Sequence, residues 1–444
     1  MSRATQFDAV LPSQPSHAPP CALPGTPLAA ARAGIDACVH CGFCLQACPT
    51  YTTLEDENDS PRGRILLMRE VLEGTLAPSD GAVNEHIARC LGCRACETAC
   101  PSGVPYGWLL EATRATLAEH HPRPWVSRAV LAVFKHPRLL GAAMFMSRLF
   151  RATRLPWLLA RLPGRLGFAS AMLASTAPVR GRRHYEAKGT GARGSVAVLT
   201  GCVMEGLLTE ANRATERVLV VNDYALAPAP AQRCCGALHA HAGDLEGARD
   251  LARLNVAAFE ASGAEYVATN SAGCGAMMKE YGHLLADDPA WRGRAEALAT
   301  RVRDVSELLA AAGPKAGAPV DARVTYDAPC HLLHAQRVAL PPLQLLGAIP
   351  GMSLVPLADA DRCCGAAGIY SLIEPEVSNA VLDRKLADID ASGARLVATG
   401  NPGCLMQIGA GLVRARGGRA AIHPVELLDE SYARARNGSG PGPD

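Results

Sequence analysis

A twelve-residue cysteine motif occurs twice in the first quarter of the chain with every interval preserved. The first copy is CVHCGFCLQACP, from Cys38 to Pro49, and the second is CLGCRACETACP, from Cys90 to Pro101. Both have the form C-x2-C-x2-C-x3-C-P, in which three thiolates bind one [4Fe–4S] cubane and the fourth binds the cubane of the other copy. The sequence therefore predicts a domain with two such clusters.

The crossing of the fourth thiolate predicts the ligands of both clusters. The two sets are Cys38, Cys41, Cys44 and Cys100 for the first cluster, and Cys90, Cys93, Cys96 and Cys48 for the second. A zinc site or a disulfide framework does not explain the pattern, because zinc sites close with two C-x2-C pairs and leave the third cysteine and the proline without a role. Cys21 stands outside every pattern, and we assign it no role.

Arginines follow the first motif and flank the second. Ser60 followed by proline predicts the start of a helix that continues over residues 65–72, and a second helix is predicted over residues 81–89. Because four thiolates leave a cubane with net negative charge, positive side chains nearby are expected to tune its potential. The candidates are Arg62, Arg64 and Arg89. Arg94 is a weaker one, since a solvated surface arginine explains it equally well.

Residues 114–193 form a basic segment. It contains 15 arginines and lysines against only Glu119 and Glu186. Apolar residues alternate with the arginines at roughly helical spacing, which predicts amphipathic helices suited to an anionic membrane face or an acidic partner. A linker that packs on its own domain with solvated arginines is the alternative. Nucleic-acid binding is disfavoured, because no aromatic–basic platform accompanies the charge.

A second duplication occupies the C-terminal half. Its two cysteine sets are Cys202, Cys234, Cys235 and Cys274, and Cys330, Cys363, Cys364 and Cys404. The offsets between corresponding cysteines are 128, 129 and 130 residues, and Arg-Cys-Cys-Gly-Ala occurs in both copies. Such self-similarity predicts two copies of one supersecondary unit.

Each unit alternates short apolar strands with helical segments, which predicts an α/β domain with a mainly parallel sheet. The predicted strands are Val196–Leu199, Tyr266–Thr269, Val324–Tyr326 and Leu396–Thr399. The predicted helices are Glu205–Val220, Leu245–Ala261, Arg294–Ala311, His331–Leu346, Glu374–Ala391 and Pro424–Ala433. Cysteines just beyond strand ends fall at the carboxyl edge of such a sheet, where ligands usually bind. We therefore expect the four thiols of each unit to converge.

Three interpretations of these eight cysteines remain open. They are ligands of a further iron–sulfur or other metal centre, redox-active thiols, or small buried side chains. A vicinal cysteine pair followed by glycine favours the first two. The polar residues near these loops are Asp327, His239, His241, His331 and His334, for which ordinary packing is a simpler interpretation than contact with a metal site.

The predicted organisation is a mixed α+β and α/β multidomain chain. It comprises a disordered N-terminus (1–33), a helical two-cluster ferredoxin-type domain (34–113), a basic helical linker (114–194), two cysteine-rich units (195–314 and 320–434) and a flexible tail (435–444). No charge-free apolar run reaches the roughly 18 residues of a spanning helix. No charged segment leads into an apolar run with a cleavage site, which favours a reducing, cytoplasmic setting.

With these motifs the chain resembles the iron–sulfur subunits of glycolate oxidase over about residues 35–434. Further matching text is DSPRGRI from Asp59 and CRACETACPSGVPYG from Cys93. The resemblance implies two ferredoxin-type [4Fe–4S] clusters and two cysteine-rich Cys-Cys-Gly domains, which also occur in heterodisulfide reductase and lactate-utilisation proteins. It further implies a complex with FAD-containing subunits that oxidise glycolate to glyoxylate.

One departure concerns the Cys-Cys-Gly domains. In heterodisulfide reductase the last cysteine continues as C-x-x-C, whereas this chain has Met277 and Gln407 at the corresponding positions. One thiolate per unit is therefore missing, although the remaining four suffice for an ordinary cubane.

The expected function is electron transfer inside an oxidoreductase complex. Electrons from FAD on the partner subunits would pass singly through the two clusters to a quinone or another acceptor other than NAD. No motif for flavin or substrate binding occurs, so no catalytic residue is assigned to this chain. The alternatives are a subunit of a lactate or glycerol-3-phosphate dehydrogenase, and a heterodisulfide-reductase-like subunit with redox chemistry at the Cys-Cys-Gly cysteines. The expected location is the cytoplasm or the inner face of the cytoplasmic membrane.

Overall fold

The computed structural model describes residues 21–178 and 185–437, so the predicted terminal segments lie partly outside the described residues. Seven helices and one 3-10 turn form the N-terminal region. They are α1 (Pro27–Ala30), α2 (Arg32–Asp36), α3 (Pro49–Leu54), the turn Glu57–Asp59, α4 (Pro61–Glu73), α5 (Gly81–Ala88), α6 (Ala95–Ala99) and α7 (Tyr106–Leu117).

Helix α4 is the central element of this region, and local chemistry sets both of its ends. The Ser60 hydroxyl accepts a hydrogen bond from the Gly63 amide at 3.0 Å, as expected for an N-cap before proline. The helix ends at Gly74, whose φ of 81° suits a residue without a Cβ. Its apolar face packs against α1, α2 and α5, and α7 contributes to the same buried cluster.

The predicted disorder of residues 1–33 is wrong for the part that the structure describes. Leu28 of α1 is completely buried in the same apolar cluster as Met68 of α4, and the Ala22 amide donates to the Leu72 carbonyl at 2.7 Å. Burying the leucine outweighs the Pro- and Ala-rich composition that suggested disorder. At the other end, the last helix extends to Asn437, so residues 435–437 are helical and not part of a flexible tail.

Residues 125–175 of the basic segment are mainly helical, as predicted. Its helices are α8 (Trp125–Lys135), α9 (Pro137–Ala152), α10 (Leu155–Leu159) and α11 (Gly164–Ser175). Helix α11 buries Phe168 and Ala171 against the second α/β unit, whereas α9 has no buried residue. Among the described residues no single helix meets the length and apolarity expected of a membrane span. Only α8 and α9 taken together do, and they are bent by 107° at their junction.

Each α/β unit contains a four-stranded sheet. The first comprises β1 (Ser195–Val198), α12 (Val203–Leu207), α13 (Thr209–Val221), β2 (Ala225–Leu226), α14 (Ala237–His241), α15 (Leu245–Ala261), β3 (Tyr266–Thr269), α16 (Ala272–Lys279), α17 (Tyr281–Leu284), α18 (Arg292–Ala299), β4 (Val302–Asp304) and α19 (Val305–Ala312). The second comprises β5 (Ala322–Tyr326), a π-helical turn (His331–Ala335), α20 (Leu340–Gly347), β6 (Met352–Val355), α21 (Tyr370–Ile373), α22 (Pro375–Ser392), β7 (Leu396–Ala398), α23 (Pro402–Ala415), β8 (Ala420–Ile422) and α24 (Pro424–Asn437).

Both sheets are entirely parallel and have the same strand order. The orders are β2-β1-β3-β4 and β6-β5-β7-β8, so the two units are structural copies and the predicted fold class is confirmed. One face of each sheet contributes to a shared core that includes Val196 of β1 and Val324 of β5. Because all strands of a sheet run in the same direction, the loops that carry the cysteines leave the same edge.

Three predicted helices are interrupted in the structure. The helix predicted over 294–311 contains β4, where Val302 is completely buried and pairs with Val267 of β3. The helix predicted over 205–220 is divided at Leu208 into α12 and α13. The helix predicted over 331–346 breaks at Arg337, which has a φ of 60°, before the proline-containing start of α20. Periodicity over such short segments did not distinguish one continuous helix from a helix that is interrupted by a strand or a break.

Candidate metal centres and cysteine quartets

Four cysteines of the predicted first cluster line one pocket. Cys38, Cys41 and Cys44 come from the loop between α2 and α3, and Cys100 arrives from the end of α6. Apolar side chains such as Ile65 complete the wall. The structure therefore brings together the same four thiols that the motif spacing groups.

The second predicted set lines a neighbouring pocket. Cys90, Cys93 and Cys96 come from the second motif, and Cys48 comes from the first. Cys96 also borders the first pocket, so the two pockets adjoin. The fourth cysteine of each motif thus lies in the pocket of the other, as the ferredoxin-type spacing predicts.

Both motif loops follow the same backbone path. His40 and Gly42 of the first loop have φ values of 54° and 85°, and the corresponding Gly92 and Arg94 have 61° and 63°. Left-handed residues at these two positions turn the loop so that three successive cysteines face one pocket. Two of the four are not glycine, which indicates that the loop conformation is maintained despite its local cost.

Several buried thiols of these pockets are less acidic than an ordinary cysteine. Burial raises the pKa of Cys44 to about 11, and it also raises the pKa of Cys48 and of Cys96 above the ordinary thiol value. A cationic iron–sulfur core offsets this cost, because it replaces the protons of four converging thiols. The donor set, four thiols at each of two adjoining pockets, fits a pair of [4Fe–4S] clusters.

Polar groups also contact the sulfurs of the second pocket. Thr50 Oγ1 lies 3.2 Å from Cys48 Sγ, and the Gly92 amide donates to Cys90 Sγ at 3.4 Å. The Tyr106 hydroxyl lies 3.8 Å from the same sulfur. Hydrogen bonds to cluster thiolates raise reduction potentials, so the Gly92 amide and the Tyr106 hydroxyl would favour the reduced state of a cluster bound there.

Arg64, one of the predicted tuning residues, is completely buried beside the second pocket. Its guanidinium donates to Asp59 Oδ1 at 2.9 Å, to Thr50 Oγ1 at 3.0 Å and to the His86 carbonyl at 2.6 Å. Burial by itself lowers the pKa of Arg64, but Cys90 and other negative groups outweigh it and raise the pKa above the usual value. The side chain therefore places a permanent positive charge next to this pocket.

The other arginines differ in position. Arg62 lines the first pocket and pairs with Glu57 at 2.7 Å, whereas Arg89 pairs with Asp59 at 3.3 Å and borders neither pocket. Arg94 is not a surface residue, since it lines the second pocket and is paired with Glu97 and with Glu280 of the first α/β unit. The sequence offers no signal for the last contact, because its partners are 186 residues apart.

The second α/β unit brings its four predicted cysteines together as a buried group, here termed quartet 2: Cys330, Cys363, Cys364 and Cys404. The Cys364 and Cys404 sulfurs are 3.2 Å apart. The Cys363 thiol is within hydrogen-bonding reach of Cys330 and also of Cys93 from the second pocket. Quartet 2 is therefore in direct contact with a predicted cluster ligand.

The first α/β unit contains the corresponding group, quartet 1: Cys202, Cys234, Cys235 and Cys274. Its thiols lie close enough together to interact in that order. Hydrogen bonds from Cys202 and Cys235 lower the pKa of Cys234 below that of an ordinary thiol. Both quartets thus fulfil the expectation that four thiols converge beyond the strand ends.

The glycine of each Cys-Cys-Gly run has a conformational role. Gly236 and Gly365 have φ values of 89° and 86°, and a Cβ at Gly365 would lie 2.5 Å from the Ser378 carbonyl oxygen. The positions of the missing C-x-x-C cysteines are used for packing. Met277 is buried, and the completely buried Gln407 donates to Ser378 Oγ at 2.9 Å.

The polar candidates near the quartets mostly join the units to each other and to the N-terminal region. His331 Nδ1 lies 3.6 Å from Cys330 Sγ, and its ring lies 5.3 Å from that of His241. His241 Nδ1 lies 2.9 Å from Glu111 of α7. The remaining contacts are His334 to Thr98 at 2.9 Å, Asp327 to Lys385 at 3.1 Å and His239 to Asp244 at 3.9 Å. Of the contacts named here, only that of His331 with Cys330 involves a cysteine of a quartet.

Comparisons with known protein families divide the chain in the same way. The 4Fe-4S dicluster domain family matches residues 34–104, and the cysteine-rich CCG domain family matches residues 196–279 and 324–409. These matches support iron–sulfur clusters as cofactors of the chain, and they confirm the ferredoxin-type character of its N-terminal region.

Curated relatives extend over nearly the whole chain. The probable glycolate oxidase iron–sulfur subunit of Bacillus subtilis (strain 168) is 37% identical over 89% of this chain and 93% of its own length. The glycolate oxidase iron–sulfur subunit of Escherichia coli (strain K12) is 32% identical over 90% and 94%. Lactate utilization protein A of Exiguobacterium sp. (strain ATCC BAA-1283 / AT1b) is 32% identical but matches only 54% of this chain. The chain therefore belongs to the family of glycolate oxidase iron–sulfur subunits.

Proposed function

We propose that this chain is the electron-transfer subunit of a flavin-dependent complex that oxidises glycolate to glyoxylate. The observation that carries the proposal is the pair of adjoining pockets, each of which contains the four cysteines of one predicted ligand set, drawn from both motifs. Bound there, [4Fe–4S] clusters would accept electrons one at a time, whereas a flavin that has oxidised a 2-hydroxy acid releases two. The names of the two nearly full-length relatives support glycolate as the substrate.

The cysteines have separate roles in this proposal. The first cluster is held by Cys38, Cys41, Cys44 and Cys100, and the second by Cys48, Cys90, Cys93 and Cys96. Arg64 and Arg62 supply positive charge to the second and first pocket, respectively, while Arg89 acts indirectly by holding Asp59. FAD and the residues that act on glycolate belong to partner subunits. The electrons leave for a quinone or another acceptor other than NAD.

The substrate alternative is lactate or glycerol-3-phosphate. The relatives named lactate utilization protein A support lactate, but they match only about half of this chain. The proposed location is the cytoplasm, with peripheral contact between the basic segment 114–193 and the inner face of the membrane, where a quinone would be available.

Co-purification followed by a substrate screen tests the main proposal. We expect the tagged chain, isolated anaerobically, to bring down FAD-containing subunits and to reduce a dye with glycolate, while lactate and glycerol-3-phosphate give little reduction. The control is the chain alone, which should not react with glycolate. Faster reduction with lactate than with glycolate would overturn the substrate assignment, and activity of the isolated chain would overturn the division of roles.

A second candidate function is redox chemistry at quartet 2, similar to that of heterodisulfide reductase. It is favoured by the contact between Cys363 and Cys93, which joins quartet 2 to the second pocket. Iron analysis distinguishes the two candidates: about eight irons per chain correspond to two cubanes and about twelve to a third. If quartet 2 holds a cluster, Cys364→Ala should remove about four irons, whereas the equivalent change Cys235→Ala in quartet 1 reports on that quartet alone.

A further inference from the structure

The basic segment exposes an unusually apolar surface, which we call the α9–α10 face. It consists of one side of α9 together with α10. Its main side chains and their exposed fractions are Leu139 (51%), Phe145 (61%), Met146 (58%), Leu149 (52%), Trp157 (47%) and Leu158 (56%). Large apolar side chains clustered in this way commonly mark an interaction surface.

The opposite side of α9 is attached to the first α/β unit. Met144 packs so closely against Gly206 that a Cβ on this glycine would lie 2.4 Å from the methionine sulfur. Arg151 donates to the Thr176 carbonyl at 2.6 Å and to the Leu207 carbonyl at 2.9 Å. Residues 144 and 151 are seven positions apart and share one side of the helix. These contacts hold Leu139, Met146 and Leu149 on the side that faces outward.

The charge around this face has a single sign. No aspartate or glutamate occurs between residues 120 and 178. Five exposed arginines have no carboxylate partner among residues 21–178 and 185–437: Arg138, Arg148, Arg154, Arg161 and Arg165. Elsewhere on the described surface arginines commonly pair with acidic residues, as Arg294 does with Glu260. The face is therefore complementary to an anionic surface.

The helices suit the surface of a bilayer better than its interior. Helix α9 has 16 residues, or about 24 Å, which is shorter than the roughly 30 Å hydrocarbon core. The 107° bend also prevents α8 and α9 from forming one straight span. Exposed Trp157 and the neighbouring arginines are typical of helices that lie in the headgroup region.

We propose that the α9–α10 face docks on a bilayer that contains anionic lipids. Its apolar side chains would enter the boundary between headgroups and acyl chains, and the five arginines would contact the lipid phosphates. This proposal refines the membrane contact named in the proposed function. It rests on that function only where a membrane quinone is taken as the electron acceptor. It narrows the contact from residues 114–193 to α9, α10 and the residues that follow to Arg165.

Vesicle co-sedimentation of the purified full chain tests the proposal. We expect binding to vesicles of phosphatidylcholine mixed with phosphatidylglycerol, much weaker binding to phosphatidylcholine alone, and loss of binding at high salt. Arg148→Gln combined with Arg154→Gln should weaken binding about 25-fold, since each basic residue near an anionic surface contributes about a factor of five. Phe145→Ser combined with Leu149→Ser should weaken it by more than about tenfold.

Matched controls lie on other surfaces of the same chain. Leu254 is 51% exposed on α15, and Arg384 is exposed on α22, so Leu254→Ser and Arg384→Gln should leave vesicle binding unchanged. Equal binding to both vesicle types, or unchanged binding of both double variants, would overturn the proposal. If the variants bind vesicles normally but release the flavin-containing subunits, the face is a subunit interface. Reduction of a water-soluble dye by glycolate tests the proposed function separately, and the double variants of the α9–α10 face should leave its rate unchanged.

Discussion

Cys93→Ala is expected to remove the second cluster and stop electron transfer through the chain. Alanine cannot bind iron, and the seven other cysteines of the two motifs would support only one complete set of four ligands. The iron content should fall from about eight to about four per chain if the motifs hold the only clusters. Glycolate should still reduce the flavin of the partner subunits, but transfer to the final acceptor should fall to background. Iron analysis, paramagnetic resonance and separate assays of the two half-reactions measure these effects.

Two further variants test whether the effect of Cys93→Ala comes from a general loss of structure. Cys21→Ser changes a cysteine that lies outside both pockets, and it should retain all the iron and full activity. Cys41→Ala changes the exposed cysteine of the first pocket, where the fold is less constrained, and it should remove the other cluster. Normal iron content in Cys93→Ala would contradict the ligand assignment. Loss of four irons with normal electron transfer would contradict the relay.

Arg64→Met is expected to destabilise the N-terminal region by about 3 kcal/mol, because breaking a buried ion pair leaves an unpaired charge in a poorly solvated place. Asp59 is completely buried and would keep only the more distant Arg89 and His86, at 3.3 Å each. Thr50 and the His86 carbonyl would also lose a hydrogen bond. Anaerobic denaturation of the iron-loaded protein, followed by cluster absorbance, measures the change. The reduction potential of the second cluster should fall, since a nearby positive charge is lost.

Arg62→Met is the matched control, two residues away on the same helix. Its guanidinium pairs with Glu57 near the surface, so the loss of stability should stay within about 1 kcal/mol. Because Arg62 lines the first pocket, its removal should lower the potential of the first cluster and leave the second nearly unchanged. Equal losses of stability in the two variants, or equal shifts of both potentials, would contradict the distinct roles assigned to these arginines.

Several elements were predictable because their signals are local. The N-cap at Ser60, the left-handed end of α4 at Gly74, and the bounds of α15 follow from residues within or next to each helix. Strand β3 was predicted without error, since a short apolar run between turns is a strong signal. The strands that were missed are short or partly exposed, such as the two residues of β2, and they form because a neighbouring strand is already in place.

The same difference between local signals and long-range contacts applies to the candidate sites. The spacing of the two motifs predicted which cysteines share a pocket, because the intervals C-x2-C and C-x3-C restrict which thiols can face one another. Cys96 also borders the pocket of the other set. The internal repeat similarly predicted that each quartet would converge. The ion pair of Arg94 with Glu280 was not predictable, because Glu280 belongs to another domain.

The sequence by itself determined the type of each building block: two sets of four cysteines drawn from both motifs, a basic helical segment, and two copies of a parallel α/β unit. These properties depend on the spacing of motifs and on internal repeats, both of which can be read directly from the amino-acid sequence. Only the tertiary structure decided that Cys363 meets Cys93, that Leu28 completes the N-terminal core, and that α9 turns its apolar side outward. Such contacts join residues far apart in the chain, and they depend on how whole domains pack, for which local periodicity provides no signal.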